Sequence, residues 1–444
     1  MFLAILLLLY LYRLSVRLRS SCSSSEARSQ ACPRPTVQEL DAAYPQITSM
    51  LKVVPPATHS GYAVVGGSGF LGAYIVRLLI MRGERNVRIL DLTPPSAELV
   101  DAGVSFVKTD ITSLPSTREG LQMPFSDGNP PKVIFHAAAL IDFWSRATYS
   151  SWFAPSYAVN VLETQNILTV AKELDAIVVY TSSVDTVLAM PKFLRLDWDA
   201  FPVYVSDETH TPKFQQQGCY ARSKRMAEQL VIDAHTNDGR KLKTGILRPG
   251  SSILGPGDRL ISSALTMAKF PVWDELWVSS HICAWDAAAA HLVYENALRT
   301  RPDEVAGQAF LITGKGQPWS NENVREAIKH YAVRDLKYVN IPPLVAYFLA
   351  HLIEGFLFLR YFIVYPFFWL TKRKPSVAPK WLGQAVFLQP STLELQLLDV
   401  VIDDSRAQKV LGYEPQWTTL QAIRYAVDEI QAGNVAPSHG LKLW

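Results

Sequence analysis

From residue 61 onward the sequence predicts an α/β chain built on a doubly wound parallel sheet, with a smaller α+β region toward the C-terminus. Three observations carry the prediction. Short apolar runs alternate with amphipathic stretches of helical spacing. A glycine-rich turn stands between the first run and the first helical stretch. Two long apolar segments, 2–12 and 344–370, lie outside the alternating pattern.

The elements follow in order. Residues 2–12, FLAILLLLYLY, are apolar or aromatic throughout, and Arg13, Arg17 and Arg19 follow. As a helix this run spans roughly 17 Å, short of a bilayer core of roughly 30 Å. Extending it to Leu18, with Arg13 and Arg17 snorkelling, nearly closes the gap. Signal peptides carry positive charge before the apolar run. Here it comes after, so the reading is an uncleaved anchor over 1–19 with the main body cytosolic. A signal peptide and a buried terminus are the alternatives. Residues 20–60 read as a linker, rich in Ser, Arg and Pro at first, with a short helix near TVQELDAAY.

YAVVGG, NVRILDL, VSFVKTD, PKVIFHAAA and AIVVYTSS then read as strands, with FLGAYIVRLLIMRG and ETQNILTVAKEL as helices. Further strands and helices occupy about 244–340. The segment 344–370 is long enough to span a bilayer. A second crossing would put residues 375–444 opposite the main body, yet VIDDSRAQKVLGYEPQWTTLQAIRYAVDEI reads as part of the same fold. The expectation is therefore a helix pair lying in or dipping into one leaflet. The alternative is a buried helix of the C-terminal region.

Composition narrows the class. Of 444 residues, 49% are hydrophobic and 19% charged. That charged share is below the about 25% usual for soluble domains, and mean hydropathy is +0.08. A net charge of +3 gives no nucleic-acid footprint. Cys22, Cys32, Cys219 and Cys283 have no metal-ligand spacing and read as reduced thiols. No metal site is expected.

The turn Gly66-Gly67-Ser68-Gly69-Phe70-Leu71-Gly72 places Gly66, Gly69 and Gly72 at GxxGxxG spacing. One glycine permits the turn, one lets the backbone approach a pyrophosphate, and one allows close helix–strand packing. The following helix start offers N–H groups to phosphates. The context is that of a Rossmann-type dinucleotide site. Asp91, ending the second strand, can accept from ribose hydroxyls and repels a 2′-phosphate, which favours NAD over NADP. A turn-capping Asp is the plain alternative. Asp110 and Ile111 follow the third strand, where adenine would lie. Ala137, Ala138 and Ala139 follow the fourth, where small residues let the chain pass close to a cofactor.

Tyr220 and Lys224 in YARSK share one helix face at i, i+4. An ammonium beside a phenol favours the phenolate, and such a tyrosine can take a proton from an alcohol. Thr181, Ser182 and Ser183 end the fifth strand at the edge where doubly wound sheets bind ligands. Ser183 is the preferred partner for the reacting oxygen, with Ser182 and Thr181 as alternatives.

The set GGSGFLG, Asp91, HAAA, TSS, YARSK and LRPGSSILGPGD closely resembles the extended short-chain dehydrogenase/reductases. More narrowly it resembles the 3β-hydroxysteroid dehydrogenase family, including the decarboxylating sterol-4α-carboxylate 3-dehydrogenases. IPPLVAYFLAHLIEGF and DDSRAQKVLGYEP carry the narrower match, and the resemblance covers about 61–432. It implies Tyr220 as general acid/base, Lys224 as binder of the nicotinamide ribose, Ser183 as the residue orienting the oxygen, Asn160 as a structural or relay residue, and Pro249 and Gly250 lining the nicotinamide end. HICAWDAAAAHL departs from the family pattern near Asp286, and the aromatic loop 185–217 is long.

The resemblance implies NAD-dependent oxidation of a 3β-hydroxyl on a sterol or sterol-like terpenoid, with loss of a C4 carboxylate where one is present. Dehydrogenation with isomerisation and secondary metabolism are close alternatives. A nucleotide-sugar epimerase or an idle NAD-binding scaffold fit less well. The implied partners are an apolar substrate, a membrane, and either a second copy of the chain or a sterol-modifying complex. Sterol chemistry points to the endoplasmic reticulum. The expected division is a cofactor and catalytic unit at 61–250 and a substrate-binding region at 251–444.

Overall fold

The computed structural model describes residues 2–20, 25–45, 47–141, 156–189, 194, 204–205, 208, 212, 217–236, 242–371 and 378–434. The apolar N-terminus forms helix α1 (Phe2–Ser20). The alternating region supplies β1 (Tyr62–Val65), α2 (Phe70–Arg82), β2 (Val87–Asp91), β3 (Ser105–Lys108), α3 (Leu114–Gln122), β4 (Val133–His136), α4 (Glu163–Leu174), β5 (Ile177–Thr181), α5 (Cys219–Thr236), β6 (Thr244–Pro249), α6 (Ala284–Thr300) and β7 (Gln308–Ile312). The long helix α7 (Pro343–Thr371) follows, then α8 (Ser405–Leu411) and α9 (Thr419–Gln431).

The seven strands form one parallel sheet in the order β7-β6-β5-β4-β1-β2-β3. This is the doubly wound arrangement, and the order reverses between β1 and β4. Both faces are covered, so the strands are apolar on both sides. In β1, Tyr62 and Val64 join the core under α2 and α6, while Ala63 and Val65 join the core under α3, α4 and α5. Short pairs outside the sheet, such as Ser252–Leu254 with His281–Cys283 and Phe270–Val272 with Tyr338–Asn340, make up the smaller α+β part. The C-terminal stretch belongs to the same body: the buried Asp286 carboxylate accepts the N–H groups of Gln416 (2.9 Å) and Trp417 (3.0 Å).

Two expectations change. The stretch expected as a linker is a strap for much of its length. A capping box at Thr36 and Glu39 starts the short helix Val37–Ala42, and Leu40 and Met50 enter the core. Trp417 Nε1 lies 3.1 Å from Met50 Sδ. The helix pair expected over 344–370 is one helix of 29 residues. Neither Gly355 nor Pro366 ends it; Pro366 lies inside its last turns, where its missing N–H removes one helical hydrogen bond.

Among the described residues, α7 is the one helix long and apolar enough to cross a membrane, over Pro343–Val364. Its inner side packs on the body through Ala346, Tyr347, Ala350 and Leu357. Its outer side exposes Phe348, Leu352, Phe356, Leu359, Phe362 and Ile363. Leu14 and Leu18 of α1 dock against Ala346, Tyr347 and Ala350, while the first turns of α1 are exposed. The basic run 372–374 and most of the aromatic loop lie outside the described residues.

Candidate active site

The glycine turn packs without slack. Gly66 has φ +77°, and a Cβ there would lie 2.7 Å from Ala138 Cα; one on Gly72 would lie 2.1 Å from the Gly66 carbonyl oxygen. The turn is closed by Gly69 N–H donating to Gly66 O at 3.0 Å. Helix α2 starts at Phe70, Leu71 and Gly72 with no side-chain capping bond from Gly69. A backbone cradle ending on a helix start fits the pyrophosphate of a dinucleotide.

Asp91 lies beside this cradle. Its carboxylate accepts from Ser68 N–H (3.2 Å) and Thr93 N–H (3.2 Å), which aims it at the turn. The turn-capping function therefore falls to the same side chain that the sequence expects at a ribose. Asp110 makes an Asx turn with Thr112 at 3.0 Å and is exposed. Ile111 packs on the core beneath it. Ala137 donates its N–H to Val65 O at 2.9 Å, so it borders the crevice at the end of β4 beside β1. Pro249 ends β6 against Ile312. Gly250 N–H donates to Ile312 O at 2.9 Å.

The three hydroxyl residues at the end of β5 have distinct partners. Thr181 Oγ1 meets His291 Nε2 at 2.7 Å. The Ser182 hydroxyl is buried with no hydrogen-bond partner, and its N–H donates to Leu247 O at 2.7 Å. Ser183 is the one whose hydroxyl acts on the Tyr220 hydroxyl, drawing it down. Its Oγ also accepts Asp185 N–H at 3.2 Å, capping the short turn Val184–Val187.

Tyr220 and Lys224 stand one turn apart on α5, both facing inward. Burial pushes the Tyr220 hydroxyl up, Asp185 adds to it, and the Ser183 hydroxyl offsets part. The Lys224 ammonium donates to Thr181 O at 2.8 Å and sits 4.6 Å from the Tyr180 ring. The phenolate-favouring effect expected of it is therefore outweighed in the free protein. Burial brings Lys224 down to about 8, with Glu163 and Glu228 opposing. Asn160 is buried in a π-helical turn, Ala158–Leu162. It bonds Leu140 N–H (2.7 Å), Leu140 O (2.9 Å) and Ser223 Oγ (2.8 Å), joining the end of β4 to the catalytic helix.

Sequence reasoning missed three groups. Asp185 donates its N–H to Ser183 Oγ at 3.2 Å, and burial pushes its carboxyl up to about 6. Gln217 Nε2 donates to Thr186 O at 2.8 Å, pinning the turn after Ser183 to the start of α5. Cys219, immediately before Tyr220, is fully buried and packs with Leu357 of α7 and Val386. A DT pair after TSS was the one available signal for Asp185; the other two depend on distant chain segments.

Comparison with known proteins agrees with this geometry. The model of the 3-beta hydroxysteroid dehydrogenase/isomerase family matches residues 63–339. A 3 beta-hydroxysteroid dehydrogenase/Delta 5→4-isomerase of Vaccinia virus (strain Ankara) is 30% identical over 263 residues, covering 56% of this chain and 70% of the relative. The 3 beta-hydroxysteroid dehydrogenase type 7 of Mus musculus is 24% identical, covering 84% and 95%. A 3beta-hydroxysteroid-dehydrogenase/decarboxylase, isoform 2, of Arabidopsis thaliana is 25% identical, covering 85% and 64%. Among solved structures, a UDP-glucose 4-epimerase of Thermotoga maritima superposes with TM-score 0.59 at 17% identity, covering 84% of this chain and 99% of its own, a likeness of fold. The chain belongs to the 3-beta hydroxysteroid dehydrogenase/isomerase family and is an NAD(P)-type oxidoreductase acting on a CH–OH donor.

Proposed function

We propose that this chain oxidises the 3β-hydroxyl of a sterol or sterol-like terpenoid at a membrane surface, with NAD as cofactor. The observation that carries the reading is the placing of Ser183 at the carboxyl end of β5 beside Tyr220, with Lys224 one turn further along α5 and its ammonium donating to Thr181 O at 2.8 Å. Gly66, Gly69, Phe70, Leu71 and Gly72 would hold the pyrophosphate, Asp91 the adenosine ribose, Asp110 and Ile111 the adenine end, and Ala137 and Pro249 the nicotinamide end. A bound nicotinamide supplies the hydride acceptor. Ser183 orients the substrate oxygen, Tyr220 takes its proton, and Lys224 holds the nicotinamide ribose. Residues 61–250 provide these groups, and 251–444 the walls for the substrate.

The exposed apolar sides of α1 and α7 support membrane attachment, with the body on the cytosolic side and the endoplasmic reticulum as the fitting membrane. The packing of Cys219 against Leu357 brings the start of the catalytic helix to the apolar helix. A water-insoluble substrate thereby has a short path from lipid to Tyr220. If the substrate bears a 4-carboxylate, oxidation yields a β-keto acid. It loses carbon dioxide without a further residue, because the ketone accepts the electrons.

One observation favours a second outcome. Asp185, beside the Ser183–Tyr220 pair, is a carboxyl with its pKa raised to about 6. It suits removal of a proton from the carbon next to the new carbonyl, the first step of double-bond isomerisation. Product masses and spectra separate the outcomes. A 4-carboxysterol should give a ketone that has lost the carboxyl, and a plain Δ5-3β-hydroxysteroid the unconjugated ketone. Conjugated product that disappears with Asp185→Asn would favour isomerisation. No NADH from either substrate would overturn the reading.

A further inference from the structure

For α1 to reach nearly across a bilayer, residues 13–18 have to lie in lipid, with Arg13 and Arg17 turned to the headgroups. The structure puts that half of the helix elsewhere. Leu14 and Leu18 enter one buried cluster with Trp277 and Leu393 of the body and with Ala346 and Tyr347 at the start of α7. Trp277 is itself held within the body, its carbonyl accepting Asn321 N–H at 2.9 Å. Arg17 is buried as well. One turn before Leu14, the Tyr10 hydroxyl donates to Leu194 O at 3.1 Å, which ties α1 to the aromatic loop. From Tyr10 onward α1 is therefore docked.

Residues 2–9 are the part of α1 that stands clear of the body. All eight are apolar and exposed, from 46% at Ile5 and Leu6 to 81% at Leu3. Successive helical residues point about 100° apart, so these eight present apolar side chains in every direction. A protein partner covers one side of a helix; an apolar surface that runs all the way round suits a hydrocarbon medium. The outer side of α7 is apolar too, and the exposed Trp381 has its ring 5.7 Å from that of Phe356 on α7. Tryptophan is enriched at the level of the lipid headgroups. At about 1.5 Å per residue the eight residues of α1 reach about 12 Å beyond the body. The hydrocarbon core is roughly 30 Å thick, so that reach falls within one leaflet.

We propose that α1 is a short arm set only in the leaflet nearest the body, and that with the outer side of α7 it forms one fixed two-helix seat for a lipid bilayer. The proposal rests on the membrane attachment proposed above. The two helices share the cluster around Leu14 and Ala346, so their relative tilt is set by the fold and the body meets lipid in one orientation. An α1 that spanned the bilayer would strip Leu14 and Leu18 from that cluster and break the Tyr10–Leu194 bond.

Depth-dependent fluorescence quenching tests the arm on the full-length chain carrying Cys22→Ser and Cys32→Ser. A nitrobenzoxadiazole label is placed on Leu3→Cys or on Leu9→Cys, both exposed positions. The protein is then bound to phosphatidylcholine vesicles whose lipids carry a doxyl group either near the headgroup or near the chain end. At Leu3→Cys the chain-end quencher should be roughly twofold the more effective, and at Leu9→Cys the headgroup quencher, because the arm points from the interface toward the bilayer centre. A spanning helix gives the opposite order, and that order overturns the proposal. A label that neither lipid quenches on vesicle-bound protein also overturns it, whether water or a second copy of the chain surrounds the arm. Leu6→Arg, at an exposed site, should lower the vesicle partition coefficient by roughly tenfold; unchanged partition contradicts the arm. If unlabelled wild type does not float with the vesicles, the membrane reading fails and the arm with it. If it floats and the order is reversed, the arm alone fails.

Discussion

Cys219, the residue that precedes Tyr220, lies in one buried apolar cluster with Leu357 of the apolar helix α7, and both side chains are fully buried. The start of the catalytic helix thereby shares one apolar cluster with the helix that exposes most of its other side. That cluster is where a change in the docking of α7 would reach the seat of Tyr220.

Leu357→Ala should test the coupling. Truncating a fully buried leucine costs about 2–5 kcal/mol, depending on how far the site collapses. Thermal unfolding in detergent should shift down. The KM for a vesicle-borne sterol should rise more than the KM for NAD, whose cradle lies at β1 and α2. Equal changes in both would argue that α7 only holds the fold together.

In the proposed function Asp91 sets the choice of cofactor. Hydrogen bonds to a charged group are worth about 1.5–3 kcal/mol, so Asp91→Ala should raise the KM for NAD by roughly ten- to a hundredfold. Discrimination against NADP should shrink, since the repelling charge has gone. Initial rates with both cofactors measure the two effects. Because Asp91 also bonds Ser68 and Thr93 N–H, Asp91→Asn serves as a milder control.

His291 predicts a pH dependence of stability. It is buried between Thr181 Oγ1 and Ala287 O, and burial lowers it from the ordinary 6.5 to about 4. Between these values the unfolded chain binds a proton that the native site refuses. Stability from this group is therefore full above pH 6.5 and is lost as pH falls toward 4, by at most about 1.4 kcal/mol per pH unit. His281, lowered to about 4, acts in the same sense, and Asp286, raised to about 7, in the opposite one. The test is thus a difference: the denaturant midpoint of wild type relative to that of His291→Asn should rise as pH rises from 4 to 6.5. Parallel curves would contradict the assignment.

Much of this was legible in the sequence because local pattern and tertiary role agree. The runs at 62–65, 133–136 and 177–181 are buried on both faces, so they read as continuous apolar strands. The spacing of Tyr220 and Lys224 needs only a helix, and the glycine turn only its neighbours. The rest depends on partners far apart in the chain. The strap over 25–60 contains helices of six and four residues, too short to announce themselves, and is held by contacts such as Met50 with Trp417. Resemblance, not local pattern, singled out Ser183 over Ser182, and the structure distinguishes them: the Ser182 hydroxyl is buried without a partner, while Ser183 Oγ accepts Asp185 N–H.

The central claim is that Tyr220 takes the proton of a secondary alcohol while its carbon gives up hydride. A 3β-hydroxysterol carrying deuterium at the same carbon, incubated with the full-length protein and NAD, tests it most directly. The account predicts deuterium in the reduced nicotinamide, and a rate for Tyr220→Phe lower by about 10²–10⁴ with the fold intact by circular dichroism. Deuterium transfer at the wild-type rate by Tyr220→Phe, or none by the wild type, would contradict it.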